Sequence, residues 1–331
     1  MSAAAIVGTG SHVPERVVGN EEVAARLGVE AGWIEDFSGV RERRYAPDSE
    51  QPADLSVRAA GRAVEAAHTS IDEVDYMISA IENSDFHFPG SCCFVQEKLA
   101  LGTDIGALDV RGHAAGFLYG LSVADAFIRA EKYSNVLLMG TELYSCGLEW
   151  DEKGREITPL LADGSGAVVL GPGEPGQGVL ASDLHCDGRH AREYWISCET
   201  NTSHPRATPQ MLAEGRQFAR IDSRLFARCA VEGLVESIPC SLAAAGVSTD
   251  EVAMFLLQQG NRRVNEAVAA KLGLPAERVD WSIEHYGNTG AASIPISLDE
   301  AVRSGRLQSG DVVVMAAFGA GFMWGSAVVR L

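Results

Sequence analysis

The chain reads as an α/β protein with a mainly parallel sheet. Apolar strand-like runs alternate with stretches of helical spacing along its length. A Gly/Pro-dense segment, "GPGEPGQG" (171–178), nearly bisects it. Both sides of that break share a plan of apolar strand, tight polar turn and helix, with 109–118 in the first half matching 255–264 in the second. The shared plan predicts two similar halves, 1–172 and 178–331, packed face to face.

From the N-terminus, 4–8 is a short apolar strand followed by a Gly/Pro-rich turn through Pro14. Helical spacing follows near 21–27 and over 55–67, and 74–80 is a buried strand. A helix over 92–99 precedes "DVRGHAAGFLYG" (109–120), where a strand runs into a helix with almost no loop. Strands follow at 135–139 and 167–170. In the second half, strands are expected at 178–184, 254–258, 312–317 and 325–331, with helices at 223–245 and 261–272.

Composition narrows the function. The 331 residues are 46% hydrophobic and 22% charged, ordinary for a globular protein with a large core. A net charge of −18 repels phosphate backbones and argues against nucleic acid. No apolar run has membrane-spanning length, and no charged-then-apolar leader stands at Met1, so the cytoplasm is the expected compartment. The seven cysteines are an odd number without a C-x-x-C pair, so buried reduced thiols are expected, with no metal site and no disulfide framework.

The abrupt turn in "DVRGHAAGFLYG" is the kind of mount on which enzymes expose a nucleophile facing a helix N-terminus, yet its apex is Ala114. Cys92 and Cys93 open a helix and are nucleophile candidates by environment alone.

Five stretches, in order, resemble the ketosynthase III enzymes of the thiolase superfamily. They are "GWIEDFSGVRERRYA" (32–46), "DVRGHAAGFLYGLSVADAFI" (109–128), "LLADGSGAVVLGP" (160–172), "EHYGNTGAASIPISLDEAV" (284–302) and "AAFGAGFMWGSAVVRL" (316–331). The resemblance covers essentially the whole chain. It implies a five-layered αβαβα thiolase fold and an acyltransferase acting on acyl-CoA or an acyl carrier protein, with no permanently bound cofactor. Family chemistry rests on Cys, His and Asn. The resemblance puts the nucleophile position at Ala114, the His position at Gln258 and the Asn at Asn288. The backbone N–H groups of Ala114 and Ala320 would hold the oxyanion.

Alanine cannot be acylated, so the covalent route is closed in this chain as written. The residue expected by the resemblance is Cys, or Ser as in starter-unit enzymes of aromatic polyketide pathways such as the anthracycline propionyl primers. An inactivating substitution is favoured over a natural non-catalytic subunit, because the rest of the elbow and Asn288 are kept. Gln258 can donate a hydrogen bond but cannot shuttle a proton, which leaves condensation and simple acyl transfer to an alcohol or amine both open. His285, three residues before Asn288, is the candidate replacement base, with His113 beside the apex as a second.

For substrate, the resemblance assigns Trp33 and Arg155 to the nucleotide of coenzyme A, and Arg263 and Asn261 of "QQGNRR" to the tunnel mouth. Phe37 stands where a second tunnel Arg is expected. "FHFPGSCC" (86–93) matches a loop that crosses a homodimer interface, with Phe88 closing the partner's acyl pocket and Cys92 and Cys93 as small residues buried at that interface. Arg216, Arg220, Arg224 and Arg228 recur every four residues and would form a basic stripe for an acidic carrier protein if helical throughout; Ile221–Ser223 is a possible interruption.

Overall fold

The computed structural model describes residues 2–331; Met1, on which the leader reading falls, lies outside them. The first sheet is built from β1 (Ala4–His12), β2 (Tyr76–Ile81), β3 (Gly106–Val110), β4 (Val136–Glu142) and β5 (Gly164–Pro172), in the order β1-β5-β4-β2-β3. Its β4–β2 and β2–β3 pairs are parallel, while β1 and β5 run antiparallel to their neighbours. The second comprises β6 (Gly178–Cys186), β7 (Val252–Leu257), β8 (Val312–Gly319) and β9 (Met323–Arg330), in the order β7-β8-β9-β6. Only β7–β8 is parallel there. The sheets are therefore mixed, less parallel than the strand–helix alternation suggested.

Five longer helices supply most of the other three layers: α1 (Pro52–Ala66), α2 (Gly116–Arg129), α3 (Ser223–Ala245), α4 (Arg262–Leu272) and α5 (Ser293–Arg303), and the short helix Ser91–Lys98 packs beside α1. Helices α2 and α5 lie between the sheets, α1 covers the outer face of the first, and α3 with α4 covers the second. The central layer explains two sequence features. Every residue of β4 and β8 is buried, so these strands are apolar runs without alternation. Helix α5 is buried continuously from Ser293 to Asp299 and was not predicted; Ser293, Pro295, Ser297 and Asp299 within that buried stretch are polar or proline residues that do not read as a core-facing helix. Its Asp299 accepts from Thr9 and Ser11 of β1, joining the two halves of the chain.

Local signals hold where the chain starts and stops. Gln51 and Asp54 form a capping box at α1, with Pro52 at its first position. Asp222 caps α3 and Gly246 closes it in the left-handed conformation. That cap also breaks the expected basic stripe, because the helix begins only at Ser223. Arg220 belongs to a two-residue strand and forms two hydrogen bonds with buried Glu149, and Arg216 pairs with Glu214. Arg224 and Arg228 alone stay exposed on the helix. Among the described residues no helix is long and apolar enough to cross a membrane.

Candidate active site

The elbow forms as the sequence predicts. β3 ends at Val110, a single 3-10 turn (His113–Ala115) follows, and α2 starts at Gly116. Early N–H groups of such a turn have no partner within it, which leaves the Ala114 N–H free to face a ligand. His113 sits at φ +46°, a left-handed conformation that a β-carbon disfavours and that clusters at functional sites. Gly319 of β8 packs against this turn, and a β-carbon there would come within 3.0 Å of the Ala114 nitrogen. Glycine spares the turn that crowding, and the approach brings the end of the second sheet onto the elbow.

Gln258, just past β7, Asn288 and Ala114 all line one cavity of about 270 Å³. Gln258 Nε2 donates to Asn288 Oδ1 at 2.9 Å, and the Gly290 N–H donates to the same oxygen at 2.9 Å. The Asn288 backbone is held at both ends, donating to Leu160 O at 2.8 Å and accepting from the Ala162 N–H at 2.9 Å. With Oδ1 doubly engaged and Nδ2 given no protein acceptor, Asn288 offers the cavity a donor. Ala320 completes the rim beside Ala114, and its N–H is likewise given no partner. Ile157, Leu161, Phe226, Leu234 and Phe318 give the wall an apolar stretch.

His285 does not belong to this cavity. It lies on a one-turn helix, Ile283–Tyr286, whose Ile283 points into the core. Two residues on, at ~100° per residue, the side chain emerges on the opposite face, and His285 is exposed. Gly287, at φ +65°, then reverses the chain so that Asn288 turns inward. Proximity in sequence therefore misled.

His113 does line the cavity, in a cluster the motifs did not reveal. Its Nε2 is 3.7 Å from Glu82 Oε2, and its ring packs on Tyr194 with centroids 5.7 Å apart. Arg111 Nη2 binds the other Glu82 oxygen at 2.5 Å. Tyr144, at the end of "GTELY" after β4, also lines the cavity and hydrogen-bonds Glu142. Glu142 is fully buried and accepts the N–H groups of Glu82 and Asn83, each at 3.3 Å. Burial, with the neighbouring Glu82 charge, pushes the Glu142 carboxyl well above the usual range. Burial raises Tyr144 strongly and Tyr194 to about 12, and it lowers His113, favouring neutral imidazole. The available signal was polar residues at the carboxyl end of an apolar strand, where α/β sheets place their sites.

At the mouth, Arg263 donates to Asp36 O and pairs with Glu266. Asn261 caps α4 and donates to Phe37 O, and Phe37 stacks on Trp33 at 5.0 Å with planes 8° apart. Arg155 is exposed in an adjoining recess that shares Glu156, Ile157 and Ile221 with the cavity. Phe88 is 88% exposed, away from this chain's own cavity. Cys92 is buried within the chain and its thiol is pushed up by burial, which removes it as a nucleophile, while Cys93 is exposed on the surface of the single chain.

Two family models match, "3-Oxoacyl-[acyl-carrier-protein (ACP)] synthase III" over residues 108–188 and its C-terminal counterpart over residues 242–331. A β-ketoacyl-[acyl-carrier-protein] synthase III from Rhizorhabdus wittichii is 38% identical over 331 residues, covering all of both chains. The chain belongs to the 3-oxoacyl-[acyl-carrier-protein] synthase III family. The synthase III crystal structure from Aquifex aeolicus superimposes with a TM-score of 0.90 at 32% identity, covering 99% of this chain and 100% of that one. The priming β-ketosynthase of the R1128 polyketide pathway gives 0.91 at 27% identity, covering 100% of this chain and 96% of that one. This synthase III chain shares the enzymes' thiolase-like architecture and is of the acyl-transfer and condensation type.

Proposed function

We propose that this chain holds a short acyl thioester, delivered by coenzyme A or an acyl carrier protein, and is not acylated itself while Ala occupies position 114. One observation carries the reading: Ala114 and Ala320 line the same cavity as the hydrogen-bonded Gln258–Asn288 pair. The oxyanion donors are backbone groups, so they survive the loss of a reactive side chain. The half 1–172 contributes the elbow and 178–331 the Gln258/Asn288 side. Trp33, Arg155, Arg263 and Asn261 serve the carrier at the mouth. The working state is a homodimer joined through the loop carrying Phe86 and Phe88, both exposed in the single chain. Likeness to a priming ketosynthase supports a starter-unit role.

The test is Ala114→Cys and Ala114→Ser with propionyl-CoA and propionyl carrier protein, read by intact mass. Either variant is expected to gain one acyl group while the unaltered chain gains none. No adduct on either variant removes this reading. A second reading, a carrier-binding subunit with no chemistry, is favoured by the coincidence of Ala114 with Gln258, neither of which offers a nucleophile or a proton-transfer group.

A further inference from the structure

The cavity lacks an acylatable residue at its apex but retains a half-buried imidazole on its wall. We propose that His113, backed by Glu82, is the proton acceptor of this cavity, and that the chain transfers an acyl group directly from a bound thioester to a hydroxyl acceptor without an acyl-enzyme stage. This rests on the reading that the cavity holds an acyl thioester.

The geometry supports each part. His113 immediately precedes Ala114, so a thioester carbonyl held by the Ala114 and Ala320 N–H groups lies beside the imidazole. The strained φ of +46° fixes His113 at the turn rather than on the regular face of α2. Tyr194 packs against its ring. Glu82 stands 3.7 Å from Nε2, placed to stabilise the imidazolium that forms on proton capture. Every charged or titratable neighbour is accounted for. Glu82 favours the charged ring and Arg111 opposes it. Tyr194 is a neutral packing partner, Glu142 lies behind Tyr194 and Tyr144, and β8 presents Gly319. Burial holds the resting imidazole neutral, the form a base requires.

The step balances without a redox partner. The acceptor O–H gives its proton to His113 as its oxygen attacks the thioester carbon. The C–O bond forms, the C–S bond breaks, and the proton passes from His113 to the leaving thiolate. The products are an ester and a free thiol; with water, a carboxylic acid and a free thiol. Glu82 acts through His113 and is a positioning residue.

The probe is propionyl-CoA with 1-propanol or water as acceptor, read by release of free CoA thiol. Saturable release above buffer is expected, with no mass added to the protein. His113→Asn should lower kcat by about 100-fold or more while propionyl-CoA binding is unchanged. Asn tolerates the left-handed conformation, so the elbow is kept. Glu82→Gln should move the rising pH limb of kcat/KM to lower pH, because the charge that favours imidazolium is gone while Arg111 remains. A merely structural role for Glu82 would reduce the rate without moving the limb. Binding of propionyl-CoA with no release above buffer overturns direct transfer and leaves the proposed function standing. Unchanged turnover in His113→Asn also overturns it, and failure of both propionyl-CoA and propionyl carrier protein to bind overturns both readings.

Discussion

Asn288→Ala tests whether the two sides of the cavity are held by one side chain. Asn288 Oδ1 accepts from Gln258 Nε2 and from the Gly290 N–H, each at 2.9 Å. Alanine leaves both donors without a partner. A stranded buried donor costs about 1–3 kcal/mol. Gly290 is buried and its N–H has no alternative, so it bears a full share. Gln258 borders the cavity and can turn toward water, so it bears less. The expected loss is about 2–4 kcal/mol, measured by urea unfolding. Asn288→Asp keeps an acceptor for both donors and should lose less, while still removing the Nδ2 donor from the cavity. A loss below about 0.5 kcal/mol for the Ala variant would refute the claim that Asn288 holds this loop.

Two further effects follow from burial. Glu142 has a folded-state pKa raised above its usual 4.5, so the folded chain keeps that proton at pH values where the unfolded chain has lost it. Its contribution to stability therefore falls as pH rises above about 4.5, by up to ~1.4 kcal/mol per unit until Glu142 itself ionises. Glu142→Gln should remove that slope, and parallel stability–pH curves for the two proteins would contradict it. Arg220→Ala leaves Glu149, 6% exposed, without its cation and should cost about 2–4 kcal/mol in thermal or urea unfolding. Arg228→Ala on the exposed face of α3 should stay within about 0.5 kcal/mol, and equal effects would restore the idea of one uniform arginine stripe.

Much of the site was legible because its signals are local. The elbow at 109–120 shows as an apolar strand running straight into small residues and a helix, and the turn forms there. The positions of Ala114, Gln258 and Asn288 follow from motifs, and all three line one cavity. Which of the two candidate histidines reaches the cavity was not legible. His285 and His113 are each close in sequence to a site residue, and only the turn of a short helix sends one outward while the other lines the cavity. Glu82, Glu142, Tyr144 and Tyr194 come from three separate segments, and no spacing rule connects them.

The amino-acid order by itself determined the alternation of strands and helices, their caps and the absence of a nucleophile at the elbow. These depend on side-chain period, turn chemistry and residue identity over a few neighbours. Tertiary structure alone decided the rest. It buried Ser293, Ser297 and Asp299 of α5 between the sheets, polar positions that gave no sign of a core helix. It gave Arg220 to a buried glutamate rather than to a basic face. It also brought Glu82 and Glu142 together behind the cavity, where removal from water changes what the Glu142 carboxyl does. Burial and convergence are properties of distant segments packed together, and distance along the chain carries no record of them.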